Sequence, residues 1–91
     1  MESAILVIIA PEGTEATLER ELLDLGVEGF SAWPVKGYGQ HGHRPTQWAT
    51  GNVRIEALVT RELAERVLAE LRQKHPRESR VFLYAALATT L

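Results

Sequence analysis

Ala4-Ile5-Leu6-Val7-Ile8-Ile9-Ala10 is an unbroken, largely β-branched apolar run, the pattern of a strand buried on both faces. Pro11 and Gly13 end it. The period then changes: Leu18, Leu22 and Leu25 recur at i, i+4 and i+7, which predicts a helix entered near Thr14 as N-cap. Glu15 lies in its first turn, where the helix dipole favours an anion, and Gly26 is a natural C-cap. From Val27 the chain alternates around Phe30, Ala32 and Val35, so a second strand runs to about Tyr38. Pro34 removes one ladder donor from it and points to an edge position or a bulge. In the third strand, Asn52 to Thr60, Val53, Ile55, Ala57 and Val59 point one way and Arg54, Glu56 and Leu58 the other. Thr60 can cap a second helix with the stripe Leu63, Val67, Leu68 and Leu71. Lys74 and His75 fall in its last turn, Pro76 stops it, and Val81 to Ala88 reads as a fourth strand.

Between the second and third strands, Gly37 to Gly51 is the only long irregular stretch, with Gly37, Gly39, Gly42, Pro45 and Gly51 among polar residues. The two halves share one element order, a weak internal repeat. Short connections and right-handed crossovers then predict an α+β, ferredoxin-like βαββαβ domain over residues 1–91, with an antiparallel sheet and both helices on one face. Leu6, Ile8, Leu58, Leu83 and Leu87 are more apolar surface than two helices are expected to cover, which argues for oligomerisation through the sheet. A monomer with apolar residues scattered over an open face is the other arrangement this pattern allows.

Composition narrows the functional classes. The chain has 91 residues and a formal net charge of −2, with no clustered basic face, so no nucleic-acid partner is expected. It has no cysteine, which excludes disulfides and thiolate metal sites and suits a reducing compartment. The N-terminal apolar run is too short for a secretory leader, and Glu2 stands where a basic region belongs. No apolar stretch approaches the roughly 20 residues that cross a bilayer. A cytoplasmic protein that is not membrane-inserted is the expectation.

Several segments resemble one family. Gly26-Val27-Glu28-Gly29-Phe30-Ser31 followed by Val35-Lys36-Gly37-Tyr38-Gly39-Gln40 is similar to the PII signalling superfamily, where the second strand ends in V-K/R-G-F-G-R-Q and opens the T-loop. Val53-Arg54-Ile55-Glu56-Ala57-Leu58-Val59 resembles its K-I-E-I-V-V strand, and Arg80-Val81-Phe82 the K-I-F that begins its last strand. The similarity covers nearly the whole chain in element order and spacing. It implies a trimeric, non-enzymatic signalling module, with the loop 37–51 acting on a membrane transporter or metabolic enzyme once a ligand has ordered it. The departures are specific. Gln40 and His41 stand where the signature has Arg and Gln, the loop is shorter and lacks a tyrosine at the uridylylation position, and His75-Pro76-Arg77-Glu78-Ser79 replaces the Gly-rich B-loop. The family's C-terminal arginines have no counterpart before Leu91. Regulation of glutamine synthetase or ammonium channels therefore does not carry over.

Chemistry and resemblance together define a candidate site. Gly37 and Gly39 around Tyr38 allow the backbone to approach a ligand closely, and successive N–H groups there can cradle an anion. Lys36, Arg44 and Arg80 supply positive charge, and arginine offers a fork suited to phosphate or carboxylate. By resemblance, Glu56 contacts an adenine amino group, Ser31 lies beside the base, and Gln40 extends the signature. Singly, each has a plainer role: the glycines end a strand, Glu56 is a solvated strand residue, and Arg77 and Arg80 are surface charge. The reduced positive charge favours AMP, ADP or a cyclic nucleotide over ATP. The alternative is a metal-responsive trimer similar to CutA-type relatives, binding divalent cations through His41 and His43; an i, i+2 pair supplies two ligands of the four a closed site needs. Trp33 and Trp48 flank the loop and suit anchoring better than base stacking. No nucleophile–base pair, paired carboxylates or phosphate loop is present, so a binding protein, not an enzyme, is expected.

Overall fold

In a computed structural model, residues 2–37, 40–41, 44–45 and 49–90 are described. Strands β1 (Ser3–Pro11), β2 (Ser31–Gly37), β5 (Ala49–Thr60) and β6 (Phe82–Ala88) form one antiparallel sheet in the order β2-β5-β1-β6. Short strands β3 (Gln40–His41) and β4 (Arg44–Pro45) pair inside the stretch expected to be irregular, and β5 starts three residues before the expected Asn52. Helices α1 (Glu15–Asp24) and α2 (Arg61–Lys74) both contribute to the core on one sheet face. This is the expected ferredoxin-like α+β fold.

The helix ends follow local chemistry. Thr60 Oγ1 accepts from Leu63 N at 3.1 Å, a true N-cap. Thr14 occupies the cap position of α1 but does not cap it. Its hydroxyl donates to the Pro11 carbonyl at 2.7 Å, within the 3-10 turn Glu12–Thr14. At the other end of α1, Gly26 N bonds Leu23 O at 3.1 Å and Val27 N bonds Leu22 O at 3.0 Å, while Gly26 takes φ 103°. That pair of bonds is a Schellman closure, sealed by buried Leu22 and Val27. It also corrects the expected start of β2: the Val27 N–H is committed to the helix end, so the ladder begins at Ser31. β2 is an edge strand, one of the two positions anticipated for Pro34, which pairs in register with Val53; the register shifts further on, between Val35 and Gly37.

The core comprises Leu6, Ile8 and Ala10 of β1, Val53, Ile55 and Ala57 of β5, Leu18 and Leu22 of α1, Val67 and Leu71 of α2, and Val27 and Val81. The expected open-face apolar set is corrected here. Leu6 and Ile8 are fully buried under the helices, and Leu83 packs partly against the same core. Leu87 is opposite Ala4 in the register and so lies on the helix side, at the exposed edge. The open face presents Leu58, as expected, together with Ile5, Trp33, Phe82 and Tyr84, all exposed. Its register aligns Ser31, Glu56, Val7 and Tyr84 in one row and Trp33, Arg54, Ile9 and Phe82 in the next.

The helices are tied by polar contacts at their ends. His75 Nε2 lies 2.6 Å from Glu21 Oε1, with Lys74 Nζ 3.8 Å from Glu21 Oε2. Arg66 donates to the Leu25 carbonyl.

Candidate functional site

Ser31 and Glu56 are direct cross-strand partners on the open face, so two of the residues expected to meet a base are brought together. Lys36 is exposed near the end of β2, and Gly37 pairs with Ala49 beyond the bulge. Gln40 and His41 form β3 opposite Pro45 and Arg44. Tyr38, Gly39, His43 and Trp48 lie outside the described residues. Arg80 is exposed and immediately precedes buried Val81, with φ 64°.

Register places Arg80 at the same end of the sheet as Val35 and Asn52, since Phe82 opposes Ile9 and Pro11 opposes Asn52. But β2 and β6 are opposite edges. Three strand spacings separate them, about 14 Å. One chain therefore does not join Arg80 to Ser31 and Lys36 in a single pocket. Among the described residues, two clefts of about 380 Å³ lie at the far end of the sheet, beside Glu2, Thr60 and Arg61 and beside Ser3, Leu87 and Thr89. A smaller one of about 110 Å³ lies between Glu12, Glu15, Ala32, Trp33 and Pro34.

Sequence reasoning missed Arg54 as a site residue. Its Nε bonds Glu56 Oε2 at 2.8 Å, its Nη2 lies 3.5 Å from Tyr84 Oη, and its guanidinium carbon is 6.0 Å from the Trp33 ring centroid. The hydrogen bond to Glu56, and then the one to Tyr84, raise the Arg54 pKa above its ordinary value against the opposing effect of burial. Strand alternation, which puts Arg54 and Glu56 on one face, was the available signal. For metal, the described residues contain no group of three or more His, Asp or Glu placed to hold an ion, and His75 is taken by Glu21. The histidine pair falls partly outside them.

An antiparallel four-stranded sheet backed by two helices defines a ferredoxin-like α+β architecture. The chain belongs to the nitrogen regulatory protein P-II family, whose model matches residues 3–88. It is similar to a Thermus thermophilus protein described as PII-like in signalling (27% identity, 100% of this chain and 91% of that one, TM-score 0.81). It shares its fold with CPII of Thiomonas intermedia, a PII-like protein bound to ADP, AMP and bicarbonate (22% identity, 100% and 97% covered, TM-score 0.74). The same holds for the B. subtilis GlnK–ATP complex (18% identity, 93% and 82% covered, TM-score 0.68). Comparison with curated protein sequences finds no match.

Proposed function

We propose that this chain is a regulatory module that binds an adenine nucleotide in clefts between the copies of a homotrimer. It signals through segment 37–51 to a membrane transporter or metabolic enzyme, works in the cytoplasm, and binds its ligand without transforming it. The observation that carries the reading is the split of the candidate residues. Ser31 and Glu56 face each other at one side of the sheet while Arg80 stands at the opposite edge, so a complete site needs Arg80 from a second copy. An exposed apolar sheet face is suited to that association. Family membership and the nucleotides held by CPII and GlnK point to the same ligand class.

Gln40 stands where the family signature has arginine, so less positive charge is available to a third phosphate. AMP, ADP or a cyclic nucleotide is expected to bind at least as well as ATP. Each missing charge-assisted phosphate contact weakens binding roughly ten- to a hundredfold. Titration calorimetry with AMP, ADP, cyclic AMP and ATP tests this. Failure of every adenine nucleotide to bind at millimolar concentration would overturn the reading, and ATP binding far more tightly than ADP would overturn the preference.

A further inference from the structure

The guanidinium of Arg54 is braced from three strands. Trp33 of β2 is its direct cross-strand partner and lies beneath it, Glu56 of β5 accepts its Nε, and Tyr84 of β6 meets Nη2. On a strand, side chains two residues apart start about 6.6 Å from one another, so Arg54 and Glu56 meet only because both bend together across the sheet. Val7, which lies between Glu56 and Tyr84 in the row, is 2% exposed although it belongs to the open face. The pair is itself about two-thirds shielded, with side-chain exposures of 29% and 33%.

A carboxylate held by one oxygen is an oriented acceptor. Arg54 takes Oε2; Oε1 has no hydrogen-bond partner among the described residues, and the cross-strand neighbour of Glu56 is Ser31. We infer that Arg54 is the positioning residue for Glu56, holding it as a fixed acceptor that selects an amino-bearing purine over an oxo-bearing one. The inference rests on the nucleotide reading above. The physical basis is the sign of the group at the base edge: adenine presents an N–H donor to the carboxylate, whereas hypoxanthine presents a carbonyl oxygen that repels it. A Glu56 freed from Arg54 can rotate away from either base, and the discrimination falls.

The test is the ratio of affinities for ADP and inosine diphosphate, measured by calorimetry on the full chain. Both ligands carry the same phosphates and ribose, so changes in general charge or in stability cancel in the ratio. The wild type is expected to prefer ADP by about tenfold or more, the scale of one charge-assisted hydrogen bond. Arg54→Gln is expected to reduce that ratio to the value found for Glu56→Gln, and the double variant to lose nothing further. Arg54→Met, which keeps the stem over Trp33, carries the same expectation where the glutamine variant does not fold. A wild type that prefers ADP, with Arg54 variants that keep its ratio, overturns this inference alone. Equal affinity of the wild type for both ligands overturns it too, while leaving nucleotide binding in place. A wild type that binds neither removes the nucleotide reading and this inference with it.

Discussion

Arg80 holds a left-handed backbone, φ 64°, one residue before the buried Val81. A side chain there costs about 1 kcal/mol or more, which glycine avoids. Pro76 O accepts from both Ser79 N, at 2.9 Å, and Ser79 Oγ, so the turn before Arg80 is tightly built. A strained, exposed arginine at the mouth of a strand suits ligand binding better than folding. Arg80→Gly is therefore expected to leave the melting temperature unchanged or higher. Nucleotide affinity is expected to fall roughly ten- to a hundredfold, the loss of one charge-assisted phosphate contact. Thermal denaturation and calorimetry on the same preparation read both quantities, and a lower melting temperature with unchanged affinity would assign Arg80 a purely structural role. Arg80 was legible in the sequence as a candidate cation, but its backbone was not, since nothing local to Ser79-Arg80-Val81 demands φ > 0.

At the scale of elements, the decisive contacts are at helix ends. The Thr60 cap and the Gly26 closure each satisfy backbone groups that the helix itself leaves open. Thr60→Ala is expected to cost about 1 kcal/mol. Gly26→Ala, forced into φ 103°, is expected to cost about 1 kcal/mol or more. Urea denaturation at fixed protein concentration measures both, because an oligomer's apparent stability varies with concentration. Thr14→Ala removes no cap and leaves α1 intact by circular dichroism. Thr60 and Gly26 were legible because a cap depends on a few consecutive residues. The Thr14 cap does not form because the Pro11 carbonyl, three residues back, takes its hydroxyl, and β2 does not start at Val27 because that residue closes a helix before it can join a sheet.

For the whole molecule, the open face is what remains unpartnered. Leu58 is 56% exposed and opposes Ile5 at 37%, with Phe82 and Tyr84 nearby on the same face. Because Leu58 contributes little to the core, Leu58→Glu is expected to keep the circular-dichroism spectrum of the wild type. Size-exclusion chromatography with light scattering is expected to show a trimer for the wild type and a monomer for the variant, with nucleotide affinity lost alongside. A wild type that is monomeric at micromolar concentration removes the shared cleft. Within the cluster at the centre of this face, Arg54 is cationic through the ordinary pH range, as any guanidinium is, and the hydrogen bonds to Glu56 and Tyr84 raise its pKa further. Its contacts are thus insensitive to pH from the cationic side.

Element order around the main sheet, the two amphipathic stripes, the restriction of β2 to an edge or a bulge, and the sidedness of β5 were determined by the sequence alone. Each rests on period, capping or an absent N–H, which a few neighbouring residues settle. The resemblance to the P-II family was likewise legible in short segments at matching spacing. The face of β1 was not: an unbroken apolar run carries no alternation, and only pairing of Leu6 with Ala57 and Ile5 with Leu58 decides which residues the helices cover. Tertiary structure also decided how the candidate residues are grouped. Ser31 and Glu56, far apart in the chain, meet because β2 pairs with β5, while Arg80 is carried to the other edge by β6 pairing with β1. Strand order is set by long-range burial, and no local pattern encodes it.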